Sequence, residues 1–161
     1  MLSALSWLQA STLGHFMRES SAWTYAVVNL AHILGISSLF GSVLVIDLRL
    51  LGAWRQVPRS SIAATASPIA TMGFVLAAAS GIGMLSANGT EYVGNPFLLV
   101  KFPAIGLGLV NALAIRRSSA WRAGRTRELD SREERQLRVM GGTSLLCWLT
   151  AITAGRMIGY W

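Results

Sequence analysis

The chain has 161 residues, of which 53% are hydrophobic and 13% are charged. Soluble domains usually carry about 25% charged residues, so this composition excludes a disordered chain and argues against an ordinary water-soluble domain. The formal net charge is +7, and Cys147 is the single cysteine. One cysteine excludes an internal disulfide and gives no support to a cysteine-based zinc site. At this length we expect one domain.

Residues 1–20 differ from the apolar runs that follow. Leucines and Phe16 alternate there with Ser, Gln and Thr, and Trp7 lies near the start. This pattern predicts a short helix that lies in the membrane interface. The tetrapeptide at residues 18–21, Arg-Glu-Ser-Ser, is expected to cap the entry into the first span.

Four apolar runs predict four membrane-spanning helices, because a span needs about 20 mostly apolar residues. They cover residues 22–46, 67–87, 96–115 and 139–160. Each run is rich in Gly, Ala and Ser, which let helices approach closely in lipid, so glycines such as Gly35 and Gly41 are interpreted as packing positions. The predicted fold class is all-α: an integral membrane four-helix bundle with a short N-terminal interfacial helix.

The basic residues between the runs predict the orientation. Three arginines follow the first run, and eight lie from Arg116 to Arg138, whereas the link between the second and third runs has none. Basic links stay in the cytoplasm, which places both termini on the periplasmic side of a bacterial inner membrane. Acids at helical spacings from Arg in residues 129–138 predict a solvated extension of the fourth span. The Arg-rich loop is therefore expected to contact anionic lipid rather than nucleic acid.

Several ionisable side chains fall inside the predicted spans, where such residues are functional candidates by default. His32 lies ten residues into the first run, Lys101 five residues into the third, and Arg156 four residues from the end of the fourth. With the predicted topology all three lie in the outer half of the membrane. At the inner end of the first run, Asp47 and Arg49 are expected to pair with each other, with Arg116 or with headgroups, in a structural role.

One interpretation of this set is a b-type haem. His32 would supply an axial nitrogen, Gly35 would leave room for the ring, and two cations, Lys101 and Arg156, would pair with the propionates. The second axial ligand would come from His15, Met84 or Met157. With two histidines in the chain, at most one bis-histidine haem is available.

Two other interpretations remain open on the residues alone. The first is a copper or other soft-metal site, for which suitable ligand types are present in His32, His15, Met84 and Met157. In the second, His32 forms a hydrogen bond between helices, and Lys101 and Arg156 extend towards the headgroups.

The leading functional hypothesis is haem-linked electron transfer in the outer half of the membrane. The alternative is a non-catalytic accessory or assembly subunit of a larger membrane complex, or a copper or small-solute membrane protein. Other membrane subunits or a second copy of the chain are the expected protein partners. The residues do not predict an enzyme that acts on its own, and no catalytic residues are assigned.

Six short motifs resemble the small four-span bacterial membrane proteins grouped as DUF6644. The motifs are WLQAS at 7–11, RES at 18–20, HILG at 32–35, DLRLLG at 47–52, NPFLLVK at 95–101 and AGRMIGY at 154–160. The resemblance covers most of the chain and implies the four-span fold. The family commonly has an acid three residues before the histidine of HxxG, whereas this chain has Asn29. The resemblance implies no settled activity.

Overall fold

The computed structural model describes residues 2–124 and 127–161. These residues form helices and connecting turns without any strand, as the composition predicts. The α-helices, in chain order, are α1 (Leu2–Ala10), α2 (Thr12–Glu19), α3 (Ala22–Leu51), α4 (Arg59–Asn88), α5 (Pro96–Arg117), α6 (Ser119–Ala123) and α7 (Ser131–Met157). Short 3-10 helices follow α4 at Gly89–Tyr92 and α7 at Ile158–Tyr160.

Four of these helices, α3, α4, α5 and α7, are long and apolar enough to cross a membrane. The shortest of them, α5, has 22 residues, which at about 1.5 Å per residue exceeds the roughly 30 Å of a hydrocarbon core. The prediction of four apolar spans in an all-α chain is therefore confirmed. Two helices start earlier than their apolar runs: α4 begins at Arg59 and α7 at Ser131.

The early start of α7 has a local cause. The Asp130 side chain accepts a hydrogen bond from the Glu133 backbone N–H, and the Glu133 side chain accepts one from the Asp130 backbone N–H. This reciprocal capping box satisfies two N–H groups that a helix start otherwise leaves without partners. The predicted polar extension of the fourth helix is confirmed.

The N-terminal segment contains two helices where the sequence predicts one. Ser11 ends the first and caps the second, because its hydroxyl accepts a hydrogen bond from the Gly14 backbone N–H at 3.2 Å. In α2, Gly14 and Met17 are buried while Leu13 and Phe16 are exposed. The helix is thus amphipathic, and its location in the membrane interface remains a prediction.

The chain divides into two compact units. The described parts of residues 1–39 and 70–95 form the first unit, and those of 40–69 and 96–161 form the second. Because α3 and α4 each contribute to both, the units are not successive stretches of the chain.

Glycines bring α3 and α4 into backbone contact in the first unit. A Cβ atom added at Gly35 would lie 2.6 Å from the Ala77 backbone nitrogen, and one at Gly73 would lie 2.5 Å from that of Leu39. Only glycine fits at such a distance. Gly35 is therefore a packing residue, as interpreted, whereas a Cβ at Gly41 would meet no described atom within 4 Å.

The second unit has a core of side chains near the arginine-rich link. The buried cluster combines Leu50 of α3, Ile115 of α5, Ala120 of α6 and Leu137 of α7. The helices α5 and α7 are in extensive contact. Their contact includes the indole of Trp148, which lies over Gly108.

Candidate functional site

His32 joins α3 to α4 in the first unit. Its Nδ1 lies 2.8 Å from the carbonyl oxygen of Ala77 and 3.1 Å from the hydroxyl oxygen of Ser80. A carbonyl can only accept, so Nδ1 carries a proton in this contact. A Cβ at Gly81 would lie 2.9 Å from Cε1 of His32. The imidazole is thus held by a hydrogen bond and by close contact with a glycine.

This geometry bears on two of the three interpretations. A histidine that binds a metal usually donates its other N–H to a carbonyl or carboxylate, and His32 has that arrangement. The same bond is also the interhelical hydrogen bond of the structural interpretation. However, the space beside Gly35 that the haem interpretation requires is filled by the backbone of α4 at Gly73 and Ala77. The expectation that Gly35 leaves room for a haem ring is therefore wrong, because this glycine is in contact with the backbone of α4.

Sequence reasoning missed the partners of His32 on α4. They are Ala77, Ser80 and Gly81, and they continue the spacing of three to four residues that begins at Gly73. Small residues at this spacing indicate the contact face of a membrane helix. That signal identifies the face, although it does not say which residue of another helix packs there.

The other predicted ligands of the first unit are His15 and Met84. The side chain of His15 is 60% exposed, and its Nδ1 lies 3.9 Å from a Glu19 carboxylate oxygen one helical turn away. Met84 is half-buried. In the described part of the chain, no three residues of the types His, Cys, Asp and Glu are grouped to hold a metal ion.

The remaining predicted residues, Lys101, Arg156 and Met157, belong to the second unit. A Cβ at Gly155 of α7 would lie 3.3 Å from Nζ of Lys101, so the glycine makes room for the lysine side chain. Arg156 donates a hydrogen bond of 2.6 Å to the Tyr160 hydroxyl, and its guanidinium lies 4.9 Å from the centre of that ring. Met157 is exposed. Arg156 therefore extends towards the C-terminal end of its own helix, as the structural interpretation expects.

Asp47 and Arg49 do not pair with each other among the described residues. Arg49 donates to the carbonyl oxygens of Val57 at 2.8 Å and Arg55 at 3.2 Å. The chain reverses at Gly52, whose φ of +114° suits glycine, and this turn brings those carbonyls to Arg49. Arg49 is structural, as predicted, although its partners are backbone groups.

Asp47 is buried against α7, with 1% of its surface exposed. The Ser144 hydroxyl is its hydrogen-bonding neighbour. Its Oδ2 has no hydrogen-bond partner among the described atoms. The expected pairing with Arg116 is not formed within the described residues, where the ion pairs involve Arg59, Arg127, Arg138 and His15.

Arg18 has a role that sequence reasoning missed. Its Nη1 donates to the carbonyl oxygens of Gln9 at 2.8 Å, Ala87 at 3.4 Å and Ser86 at 3.5 Å. The last carbonyls of a helix lack intrahelical partners, and a cation there also interacts favourably with the helix dipole. Arg18 therefore caps the end of α4. Of the tetrapeptide expected to cap the first span, Arg18 therefore points to α4 instead, whereas Ser21 directly precedes α3 and its carbonyl accepts from the Thr24 N–H at 2.9 Å.

At the start of α7, two glutamates form ion pairs with three arginines. Glu134 accepts from Arg59 at 3.2 Å and from Arg138 at 3.0 Å, and Glu133 binds Arg127 at 2.6 Å. The hydrogen bond to Glu133 raises the pKa of the exposed Arg127 guanidinium further. The predicted ion pair at i,i+4 spacing is confirmed by Arg138 and Glu134.

A family model matches residues 4–161 of the chain. The chain belongs to DUF6644, a family of unknown function. The resemblance seen in its six motifs is therefore confirmed over essentially the whole length. No curated protein and no solved structure matches the chain. Because the function of the family is unknown, the function of this DUF6644 protein is inferred from its own residues.

Proposed function

We propose that this DUF6644 protein is a non-catalytic accessory or assembly subunit of a larger complex in the bacterial inner membrane. The proposal rests on the hydrogen-bond partners of the polar side chains within the four long helices. His32 and Asn111 bond to neighbouring helices and Arg49 bonds to the turn after its own helix, while many large apolar side chains of the four helices are exposed.

The polar contacts support a structural role. His32 bonds to the backbone of α4, and Asn111 donates to the Met140 carbonyl of α7 at 2.9 Å. Arg156 bonds to Tyr160 on the same C-terminal segment. The first two bonds join neighbouring helices, as polar side chains do in membranes, and the third lies within one segment. A site for chemistry would instead direct several polar groups towards one space.

The outward faces support contact with lipid and with partner helices. In the most apolar stretch of each long helix, 22% to 33% of the residues are buried. On α5 an exposed apolar face runs along Leu99, Phe102, Val110 and Leu113. Nothing but lipid or another membrane protein can cover such a face in a bilayer.

Site-specific photo-crosslinking tests the accessory role. A photoreactive phenylalanine at Val110, which is 64% exposed, is compared with one at Leu137, which is 1% exposed. We expect a discrete adduct with one membrane protein from position 110 in intact cells, and none from position 137. The proposal is wrong if position 110 yields only lipid adducts and the native protein migrates as a lone monomer.

The orientation is part of the proposal and has its own test. The arginine-rich link is placed in the cytoplasm by the positive-inside rule. In a Cys147→Ser background, Asn88→Cys should react with a membrane-impermeant maleimide in intact cells. Ser119→Cys should react only after lysis. The opposite pattern would reverse the topology.

A second candidate function, haem-linked electron transfer, is favoured by one observation. His32 donates its Nδ1 proton to the Ala77 carbonyl, as a histidine that binds a metal through its other nitrogen usually does. A bound haem would supply one-electron chemistry, with His32 as its ligand. This function predicts a reduced-minus-oxidised haem spectrum that is lost in His32→Ala, with His15→Ala testing the second ligand. A colourless protein would exclude it, and stoichiometric copper in such a protein would instead support the copper alternative.

A further inference from the structure

A groove lies beside the arginine-rich end of the second unit. One wall is the first part of α4, the other is the end of α5 together with α6, and its volume is about 540 Å³. We call it the arginine groove, and its lining consists of Ala63, Ala64, Ser67, Pro68, Arg116, Trp121 and Arg122. Binding pockets for small ligands typically have about 300–1,000 Å³. The groove is therefore large enough for a headgroup and the adjoining part of a lipid chain.

The groove has a positive charge that no described acid neutralises. Arg116 and Arg122 are exposed, and neither forms an ion pair or a hydrogen bond with another described side chain. No acid among the described residues lines the groove, and Glu133 and Glu134 at the start of α7 bind other arginines. The two guanidinium groups at the groove thus lack an anionic partner within the described part of the chain.

The two sides of the groove suit the two parts of one ligand. Guanidinium groups bind phosphate oxygens through paired N–H donors, and two of them favour an anion. Trp121 is of the residue type that lies at headgroup level in membranes. The opposite wall contains Ala63, Ala64 and Pro68 of α4, a helix long and apolar enough to span a membrane. Small apolar residues on such a helix offer a surface for an acyl chain.

We propose that the arginine groove is a binding site for an anionic phospholipid, with its phosphate at Arg116 and Arg122 and its first acyl segment against α4. The proposal rests on the membrane location given under the proposed function. A zwitterionic headgroup would fit less well, because its ammonium group would meet no carboxylate in the lining. A soluble phosphate would use the arginines but would leave the apolar wall uncovered.

Native mass spectrometry of the full chain in detergent, with phosphatidylglycerol as the probe, tests the site. The variant Arg116→Gln/Arg122→Gln removes its two charges. The matched control, Arg132→Gln/Arg135→Gln, removes two exposed arginines of α7 outside the groove. We expect Kd for the tightest lipid to rise about tenfold or more in the first variant relative to the control. Equal losses in both variants would overturn the proposal, because they would indicate general attraction to basic charge.

Two further measurements separate the lipid from other sources of phosphate. Ala64→Trp keeps both arginines but fills the apolar wall at an exposed position, and it should also weaken phosphatidylglycerol binding. Inorganic phosphate at millimolar concentration should not displace the lipid, and phosphatidylcholine should bind more weakly than phosphatidylglycerol. Displacement by phosphate, or unchanged binding in Ala64→Trp, would overturn the lipid assignment.

The failure of this inference can be distinguished from failure of the proposed function. The maleimide pattern and the crosslink at position 110 report topology and partner contact without involving the groove. Unchanged thermal unfolding of the charge variant shows that any loss of lipid comes from the site rather than from misfolding.

Discussion

In the first unit Arg18 and His32 donate to main-chain carbonyls, whereas in the second unit Arg59 and Arg138 share the carboxylate of Glu134. The difference follows from the surroundings. An ionised acid inside a span is costly, but the carbonyls at a helix end already need donors. At the polar start of α7, water lowers that cost, so acids can partner arginines there.

Two glycines of the first unit and two of the second face different kinds of atom. In the first unit Gly35 and Gly73 face the backbone of the neighbouring helix, whereas in the second Gly108 and Gly155 face the side chains of Trp148 and Lys101. A side chain can move by a few tenths of an ångström, but a helix backbone moves only as a whole. Substitution should therefore be more damaging at Gly35 and Gly73 than at Gly108 and Gly155.

The largest expected effect is that of Gly35→Ala. Its Cβ would lie 2.6 Å from the Ala77 nitrogen, so the helices must separate, and we expect unfolding free energy to fall by about 2–3 kcal/mol. Gly41→Ala is the matched control, since its Cβ meets nothing within 4 Å. Detergent unfolding followed by tryptophan fluorescence measures both. Equal losses of unfolding free energy in Gly35→Ala and Gly41→Ala would contradict the contact of Gly35 with the α4 backbone.

Arg18→Met should come next. It removes the donor for the Gln9, Ser86 and Ala87 carbonyls, and we expect a loss of about 1 kcal/mol, since the arginine is partly in contact with solvent. Hydrogen exchange should become faster at the end of α4 and in α2. Glu19→Gln serves as the control, and the same acceleration in it would argue against the cap.

His32→Ala should lower the unfolding free energy by about 0.6–1 kcal/mol, the usual worth of a hydrogen bond between membrane helices. Asn111→Ala removes a comparable side chain to backbone bond in the second unit. Thermal melts in the same detergent should give similar losses. A much larger effect of His32→Ala, together with loss of visible absorbance, would instead favour the haem function.

The smallest effect is expected for Glu134→Gln, which removes the ion pairs with Arg59 and Arg138. Partly exposed pairs contribute about 0.2–1 kcal/mol and are screened by salt. We therefore expect a loss of a few tenths of a kcal/mol at low salt that disappears at high salt. The effect of His32→Ala should not depend on salt. A salt-independent loss in Glu134→Gln would show that the pair is buried more deeply than its exposure indicates.

The sequence by itself determined the local features of this protein. The four apolar helices follow from run length and hydropathy, and the polar start of α7 follows from Asp130 and Glu133, three residues apart. Such features depend on residues within one helical turn or one span, so they can be read along the chain.

The contacts between helices were decided by the tertiary structure alone. A membrane helix is apolar on most of its surface, so its pattern does not show which face meets a neighbour. Gly35 and Gly41 have the same residue type, but only Gly35 meets a backbone. In the same way, the α4 carbonyls that Arg18 and His32 bind lie 45 or more residues away along the chain. Their position depends on how the helices pair and rotate, which no local pattern specifies.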